Sequence, residues 1–498
     1  MAFNPCGTDV ILSLQARLFV REIVASFLLE TGLTREVWQK LREGPVPLTE
    51  TSDFRNILSF VSEYNMMLKN RSYIPNVVHG YLGLQKGNGV TRFLPILTKE
   101  DMAVYYHLCG HIGEQVLKKE PDIFGGWRSI PLTKKGTIKR PSRADEEDAR
   151  AEQGGYFYDT FSDTMWLGQF KNFTQLIRKL TSQASSGLYV ATTDIANFYD
   201  SIELPQLIRK LRRDTQGKLH EEIELLEVFL SLWDRRTTGY SPSSKGIPQE
   251  IISDGSRFLS HYYLQDFDET FKSYCKQNRL RYVRWADDML IFGSSKKTLE
   301  HAIHKASRLL LSEGLNLNAN KTRIYSRTDL ARNRGLDVLA AIDARNVADF
   351  RRKLRSAIDW YQQGNPLRLD TVFRASLGYV FRLSKNAKTF EKNFLFETVD
   401  GNPDIISTLN DVQLIRLISI ADDPKEMYLK IRTTCLSRPY AGARANFLLL
   451  IRKRSKGLVR LGISARLQLS SVNMIMKESG DSEIIRTICV PPAVAAIT

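Results

Sequence analysis

The chain has 498 residues, of which 43% are hydrophobic and 25% charged, and it is long enough for two or three globular domains. Its 71 lysines and arginines against 55 acids give a net charge of +16 and a pI near 9.5. This excess predicts a polyanionic partner, with nucleic acid ahead of a membrane surface. The 5 scattered cysteines lack CxxC spacing, which fits a reducing cytoplasm and indicates no zinc site. We expect neither a signal peptide nor a membrane partner, because no apolar run approaches the ~20 residues that span a bilayer.

Three parts of the chain differ in their predicted elements. Residues 1–90 are predicted to be mostly helical, with a loop marked by the glycines from Gly80 to Gly89. Residues 91–345 mix strands and helices, and residues 346–498 are again mainly helical. Within the middle part we expect a strand at 187–194, a helical segment at 204–233, a helix ending at Leu264, two short strands at 282–284 and 289–293, and a helix at 299–313.

An acidic turn lies between the last two predicted strands. Asp287 and Asp288 are adjacent there, and like charges that close repel and raise each other's pKa. A divalent cation relieves that repulsion, and hard oxygen ligands suit Mg²⁺, with Mn²⁺ as the alternative. Taken alone, the turn is equally consistent with a solvated Asp-Asp turn.

A third acid, Asp194, ends the predicted strand at 187–194. If the two elements are neighbours in one sheet, all three carboxylates converge, as two-metal nucleotidyl transfer requires. Such chemistry asks the protein mainly for positioning and charge neutralisation, so no Ser/His or Cys/His pair is needed. His107 and His111 have metal-ligand spacing but lack a third ligand, and packing or surface roles are the better interpretation.

Five segments, in order, resemble motifs of the reverse transcriptases in the right-hand polymerase superfamily. Residues 193–202 resemble the first metal-binding motif, and residues 246–249 the motif that contacts nucleotide and template. Residues 285–288 resemble the Tyr-Ala-Asp-Asp box, with Trp285 in the tyrosine place. Residues 314–322 are similar to the segment that follows, and residues 134–141 to the fingers hairpin that grips the triphosphate. The resemblance covers roughly residues 91 to 345.

The resemblance implies an α+β fold: fingers and palm on an antiparallel sheet (91–345), a helical N-terminal extension (1–90), and a helical thumb and C-terminal region (346–498). It implies that Asp194, Asp287 and Asp288 are catalytic, with the same acids and Ile195 at the metal, although Asp288 is open to a geometric role instead. The implied nucleotide-binding residues are Lys134, Lys135, Arg140, Asn197, Phe198, Tyr199, Gln249 and Lys321. A solvated basic loop for 134–140 and a surface lysine at Lys321 stay as alternatives.

Tyr199 suggests which sugar is used. A bulky ring at this place would stack under the sugar and clash with a 2′-hydroxyl, which favours dNTPs over NTPs; a core aromatic is the alternative. An RNA polymerase of this superfamily would carry a small or polar residue there and Gly in place of Ala286. Glu250, where many relatives have Gly, and Trp285 are departures that indicate altered template or primer-terminus packing.

The sequence shows no recognisable ribonuclease H, integrase or HNH endonuclease pattern. In this it resembles the bacterial defence reverse transcriptases of the abortive-infection and "unknown group" lineages. That resemblance implies antiviral DNA synthesis in the bacterial cytoplasm, with a noncoding RNA as template or scaffold and a homo-oligomer as one option. It also implies priming from a protein hydroxyl, for which the candidates are Tyr361, Tyr379, Tyr428 and Tyr440.

Three functions therefore stay open. The leading hypothesis is an RNA-directed DNA polymerase that uses Mg²⁺ and dNTPs, binds RNA and makes a DNA product. The second is an untemplated or protein-primed DNA polymerase of the same fold. The third is a catalytically silent scaffold that binds nucleic acid, against which the complete set of three acids argues.

Overall fold

The computed structural model describes residues 163–182, 189–233, 243–249, 255–383 and 389–478, with scattered residues between 74 and 125. Within those ranges, no helix combines the length and the apolar character that crossing a membrane requires. Several residues named above lie outside the described residues: Lys134, Lys135, Arg140, His107, His111 and Glu250.

A five-stranded sheet lies at the centre of the fold. Its strands are β3 (Ile123–Phe124), β4 (Tyr189–Asp194), β5 (Arg281–Trp285), β6 (Asp288–Gly293) and β7 (Arg323–Ser326), in the spatial order β3-β5-β6-β4-β7. All neighbours are antiparallel except β3 and β5, which are parallel. The expected antiparallel sheet is thus present, but the edge strand β3 makes it mixed.

Helices cover both faces of this sheet. Up to β7 they are α1 (Asp163–Ser182), α2 (Phe198–Ser201), α3 (Leu204–Asp214), α4 (His220–Leu232), α5 (Gly255–Tyr263), α6 (Gln265–Gln277) and α7 (Lys296–Ser312). One sheet face presents Ala191, Met289 and Ile291 to the main core, which includes α5, α6 and α7. The other presents Val190 and Leu290 to a smaller core built with α1. The alternation of strand side chains thus supplies two apolar faces, and each fully buried aliphatic side chain stabilises the fold by about 1.5–3 kcal/mol.

The chain after the sheet is helical. Its helices are α8 (Arg327–Asn333), α9 (Leu336–Asp343), α10 (Val347–Gln362), α11 (Leu369–Leu383), α12 (Thr389–Gly401), α13 (Asp411–Ile420), α14 (Pro424–Ser437), α15 (Ala441–Arg460) and α16 (Ala465–Glu478). Sequence-local caps explain several starts: Asn410 and Gln413 form a reciprocal capping box at α13, and Asp423 accepts from two backbone amides at α14. The predicted helical character of this region is confirmed over its described residues.

A separate hairpin precedes the sheet and corrects one prediction. Residues expected to be a glycine-marked loop form β1 (Tyr81–Gly87), which pairs antiparallel with β2 (Val90–Pro95). The expected boundary at residue 90 therefore cuts a paired hairpin, and β1 packs against α15. Glycine lowers strand propensity but does not prevent pairing when a partner strand lies two residues away.

The helical segment expected at 204–233 consists of two helices, α3 and α4. Gln216 and Gly217 both have positive φ angles, 52° and 77°, between α3 and α4. Glycine adopts this left-handed backbone at no steric cost, so the chain reverses there. The boundary expected at residue 345 lies in the turn before α10, whose first turn Asn346 caps.

Candidate active site

Two predicted acids lie side by side at one edge of the sheet. Asp194 ends β4 and is the register partner of Asp288, which begins β6. Cross-strand partners point to the same sheet face, so these two side chains share a face. Asp287 is in the two-residue turn between β5 and β6, since Trp285 pairs with Asp288. Two motifs that are far apart in sequence thus meet at one point through strand pairing.

The nearby acids and burial change the protonation of Asp287. Burial raises its pKa from 3.8 to about 7, with further contributions from Asp194, through both charge repulsion and a hydrogen bond, and from Asp288. Two carboxylates this close cannot both ionise readily without a cation between them. Because oxygen ligands of this kind suit Mg²⁺, the Asp194–Asp287 pair fits a divalent cation.

Asp288 has a different neighbour. Its Oδ2 lies 3.9 Å from Nη2 of Arg368, and the described residues contain no cluster of three or more His, Cys, Asp or Glu side chains placed to share a metal. The three carboxylates still lie together at this sheet edge, with Asp194 as the neighbour of both Asp287 and Asp288. The choice between metal ligation and a geometric role for Asp288 stays a prediction.

A lysine neutralises Asp194. Nζ of Lys321 lies 2.7 Å from Oδ2 of Asp194, although the lysine side chain is itself largely exposed. The backbone amide of Asn318 donates to the carbonyl of Asp194 at 2.7 Å, which fixes the strand end. Thr193 and Thr322 hydroxyls are 2.8 Å apart and tie β4 to the segment before β7. Lys321, expected to contact phosphates, is thus within reach of the acidic pair.

The turn that carries Asp287 has an unusual backbone. Ala286 has a φ of 50°, which a non-glycine residue rarely adopts. Its amide donates to the carbonyl of Phe124 at 3.0 Å, and Nη1 of Arg284 donates to its carbonyl at 2.6 Å. Gly125 allows this approach, since a Cβ there would lie 2.8 Å from the nitrogen of Ala286. The left-handed turn is therefore held from both sides.

Arg284 is itself fixed by a buried acid. Its Nε donates to Asp268 on α6 at 2.9 Å, and the hydroxyl of Tyr282 donates to the same carboxylate at 2.8 Å. Tyr282 and Arg284 alternate with Val283 on β5, so both face α6. This pair was not predicted from the sequence. It could have been, because an arginine inside a strand that is buried on both faces requires an acidic partner.

The segment after Asp194 meets the residues expected to contact the nucleotide. The amide of Ile247 donates to the carbonyl of Tyr199 at 3.0 Å, and the amide of Gly246 to that of Ile202 at 2.9 Å. Tyr199 and Gln249 are half-buried, and Asn197 is exposed with a left-handed φ of 46°. Phe198 and Ile195 have buried side chains and belong to the core. The structure thus brings Tyr199 and the 246–249 segment together beside Asp194.

The ring of Trp285 packs against helix α1. Its ring lies 5.3 Å from that of Phe170 and 5.4 Å from that of Phe173, both on α1. The tryptophan in the tyrosine place therefore fills the smaller core between β5 and α1. The expected effect of Trp285 on primer-terminus packing stays a prediction.

The four tyrosines considered for priming differ in accessibility. Tyr379, Tyr428 and Tyr440 are 4%, 0% and 3% exposed, so their hydroxyls are shielded in the helical core. Tyr361 is 44% exposed, on α10. Among the four, Tyr361 is the accessible one.

Comparisons with known proteins agree with this geometry. Residues 158–350 match the family model described as reverse transcriptase (RNA-dependent DNA polymerase). This range contains the three acids, Tyr199, Gln249 and Lys321. The chain is 30% identical over 128 residues to the retron Ec83 reverse transcriptase of Escherichia coli. That alignment covers 25% of this chain and spans 39% of the length of the retron protein.

Solved structures add a more distant likeness. A telomerase from Candida albicans, in complex with a fragment of telomeric RNA, is 11% identical, with 84% of this chain and 76% of that chain covered at a TM-score of 0.28. An apo telomerase from Candida tropicalis is 10% identical, with 91% and 72% covered at 0.30. Likeness at this level establishes neither fold nor function. Residues 158–350, which hold the paired acids at the sheet edge, are thus similar to reverse transcriptases, a family that includes the retron relative.

Proposed function

We propose that this chain is an RNA-directed DNA polymerase that joins dNTPs by two-metal nucleotidyl transfer. The observation that carries the proposal is the Asp194–Asp287 pair, brought together by the register of β4 and β6 inside a reverse transcriptase domain. Mg²⁺ held there would lower the pKa of an attacking 3′-hydroxyl and stabilise the leaving pyrophosphate.

The chain's own residues would supply positioning and charge. Asp194 and Asp287 give the carboxylate oxygens, and the supported turn at Ala286 keeps Asp287 facing Asp194. Lys321, already within 2.7 Å of Asp194, would donate to a phosphate once a cation takes its place on that carboxylate. The ring of Tyr199 would lie under the sugar and disfavour ribonucleotides.

The biological role that we propose is antiviral defence in bacteria, with a noncoding RNA as template or scaffold. The similarity to a bacterial retron reverse transcriptase supports it, as does the net charge of +16, which suits a polyanionic partner. Sequencing all RNA and DNA that copurify with the protein from its host would test it. A recurrent noncoding RNA is expected; random cellular RNA alone would contradict this role.

The polymerase assignment is tested by incorporation of labelled dNTPs on an RNA template. Asp287→Asn should reduce incorporation by at least about a thousandfold, because it removes charge stabilisation at the reacting phosphate. Asp422→Asn is the matched control, since this exposed acid pairs with Lys392 at the surface. Unchanged incorporation in Asp287→Asn would refute the polymerase assignment.

A second candidate is protein-primed synthesis, favoured by the exposure of Tyr361. It predicts that labelled DNA stays with the protein through phenol extraction and that Tyr361→Phe abolishes this association. Tyr379→Phe is the control, because that hydroxyl is buried. Free product in the wild type would exclude this route.

A further inference from the structure

Two buried hydroxyl groups form a chain of hydrogen bonds that ends at the residue directly before Gln249. The hydroxyl of Ser256, in the first turn of α5, donates to the carbonyl of Pro248 and lies 2.8 Å from the hydroxyl of Tyr105. A serine hydroxyl has one hydrogen, so donation to Pro248 leaves its oxygen to accept from Tyr105. Ser256 and Tyr105 are 2% and 0% exposed. The hydrogen bonds therefore run from Tyr105 through Ser256 to Pro248.

Packing fixes the ring of Tyr105. It stacks on Phe229 of α4, with centroids 4.7 Å apart and planes 12° apart. The first residue of α5, Gly255, lies against the same ring, and a Cβ there would be 2.9 Å from Cε1 of Tyr105. The lack of a side chain at Gly255 therefore lets α5 begin close to the ring. The two hydroxyl groups are thus held within hydrogen-bond distance by a close-packed core.

A hydrogen bond to the carbonyl of Pro248 fixes the residue that follows it. The proline ring sets φ at about −65° and leaves ψ as the free backbone angle of Pro248. The carbonyl oxygen of Pro248 and the Cα of Gln249 share one peptide plane, so holding the oxygen also sets where that Cα lies. Ser256 thereby fixes the point from which the side chain of Gln249 starts.

Other bonds hold the earlier part of this segment. Nε1 of Trp233 donates to the carbonyl of Gly246 at 3.3 Å, and the amide of Ile247 donates to the carbonyl of Tyr199 at 3.0 Å. Gln249 is therefore placed relative to Tyr199, the residue expected to contact the sugar. Loss of the bond to Pro248 would leave these two bonds in place, so its effect would be confined to the end that carries Gln249.

We infer that Ser256, supported by Tyr105, is a positioning residue that orients Gln249 toward the incoming nucleotide. This inference rests on the proposed polymerase function, with Gln249 as a residue that contacts the nucleotide. Both hydroxyl groups are buried, so they act through the backbone of Pro248 and not by touching the substrate.

Steady-state incorporation of dTTP on a poly(rA) template with an oligo(dT) primer tests the inference. Ser256→Ala should raise the KM for dTTP about tenfold and change kcat by less than about threefold, because the lost bond orients a group that binds the nucleotide and leaves the acidic pair in place. Tyr105→Phe keeps the packed ring and removes the bond one step further from Gln249, so its KM should rise about threefold.

A double-mutant cycle separates positioning from general stabilisation. Gln249→Ala alone should raise the KM for dTTP at least about tenfold. In that background Ser256→Ala should add less than about twofold, because its effect passes through the side chain that is already missing. A purely structural role of Ser256 would change the KM by the same factor in both backgrounds.

Two residues of the same helix are matched controls. Ser260→Ala removes a buried hydroxyl that donates to the carbonyl of Arg257 at 3.0 Å, within α5. Tyr263→Phe removes a buried hydroxyl that donates to the carbonyl of Glu313 at 2.7 Å. Both lose a hydrogen bond of the same kind without contact to Pro248, so the KM for dTTP should stay within about twofold of the wild type.

Two results would overturn the inference. One is an unchanged KM in both Ser256→Ala and Tyr105→Phe. The other is an equal rise in KM with and without the side chain of Gln249. If Ser256→Ala does not fold, Tyr105→Phe in the same cycle decides the matter. Wild-type protein that incorporates dTTP while the variants behave like the controls would refute this inference alone; wild-type protein that incorporates no nucleotide would refute the polymerase function and this inference with it.

Discussion

Arg284 and Asp268 form an ion pair that is closed to solvent on both sides, with side chains 0% and 3% exposed. The pair connects α6 to β5, and Arg284 continues the connection to the carbonyl of Ala286 in the acidic turn. The position of Asp287 therefore depends on a buried acid of helix α6. Asp268 positions the acidic turn through Arg284.

Removing one member of this pair should be costly. Asp268→Asn leaves the Arg284 charge buried without its counter-ion, and we expect the free energy of unfolding to fall by about 3–5 kcal/mol. Asp122→Asn is the matched control, because Asp122 pairs with Arg281 on the same strand but at the surface. Its cost should be below about 1 kcal/mol. Urea denaturation compares the two; equal losses would show that the buried pair has no special role.

The raised pKa of Asp287 predicts how stability changes with pH in metal-free protein. Below about pH 4 both the folded and unfolded chains hold the proton. Between pH 4 and 7 the unfolded chain releases it while the folded chain keeps it, so the free energy of unfolding falls and reaches its lower level above pH 7. Asp287→Asn lacks this loss, and at pH 8 it should be more stable than the wild type by about 2 kcal/mol, discounted for partial exposure. Denaturation in EDTA at pH 5 and pH 8 measures the free energy of unfolding of both proteins. A difference between variant and wild type that is no larger at pH 8 than at pH 5 would contradict the raised pKa of Asp287.

The same proton should compete with a divalent cation. Since the ligand must be deprotonated, the apparent affinity for Mg²⁺ should fall about tenfold for each pH unit below 7. Calorimetric titration at pH 6 in two buffers of different ionisation enthalpy should show close to one proton released per binding event. In Asp287→Asn this release should disappear. Proton release that persists in the variant would point to another group.

Tyr199 gives a test of sugar selection. Tyr199→Ala removes the ring that would meet a 2′-hydroxyl, and the preference for dNTP over NTP should fall by about 10- to 200-fold, the range that steric pocket changes produce. Tyr199→Phe keeps the ring and should keep the preference. The ratio of kcat/KM for dTTP and UTP measures it. Loss of preference in Tyr199→Phe as well would indicate that the hydroxyl, rather than the ring, selects the sugar.

Local patterns predicted much of the sheet edge. Strands expected at 282–284 and 289–293 are found at Arg281–Trp285 and Asp288–Gly293, because apolar β-branched and aromatic residues flank a short acidic turn. Asp194 was identifiable as a strand-terminal acid for the same reason. The order of the motifs then indicated that these elements meet, which the pairing of Asp194 with Asp288 confirms.

Contacts between distant side chains could not be predicted in this way. The ion pair of Asp268 with Arg284 and the approach of Arg368 to Asp288 depend on how helices pack against strands, and no periodicity encodes that. The strand β1 was missed because Gly83 and Gly87 weaken its propensity, and its pairing with β2 compensates for this.

The contact between β1 and α15 has a consequence for synthesis. Helix α15 leaves the ribosome roughly 350 residues after β1. At bacterial translation rates this takes on the order of 20–70 seconds. Until then this hairpin lacks its contact with α15. Folding therefore cannot finish in the order in which the chain emerges, and a polypeptide stopped after the sheet would expose a surface that invites aggregation or chaperone binding.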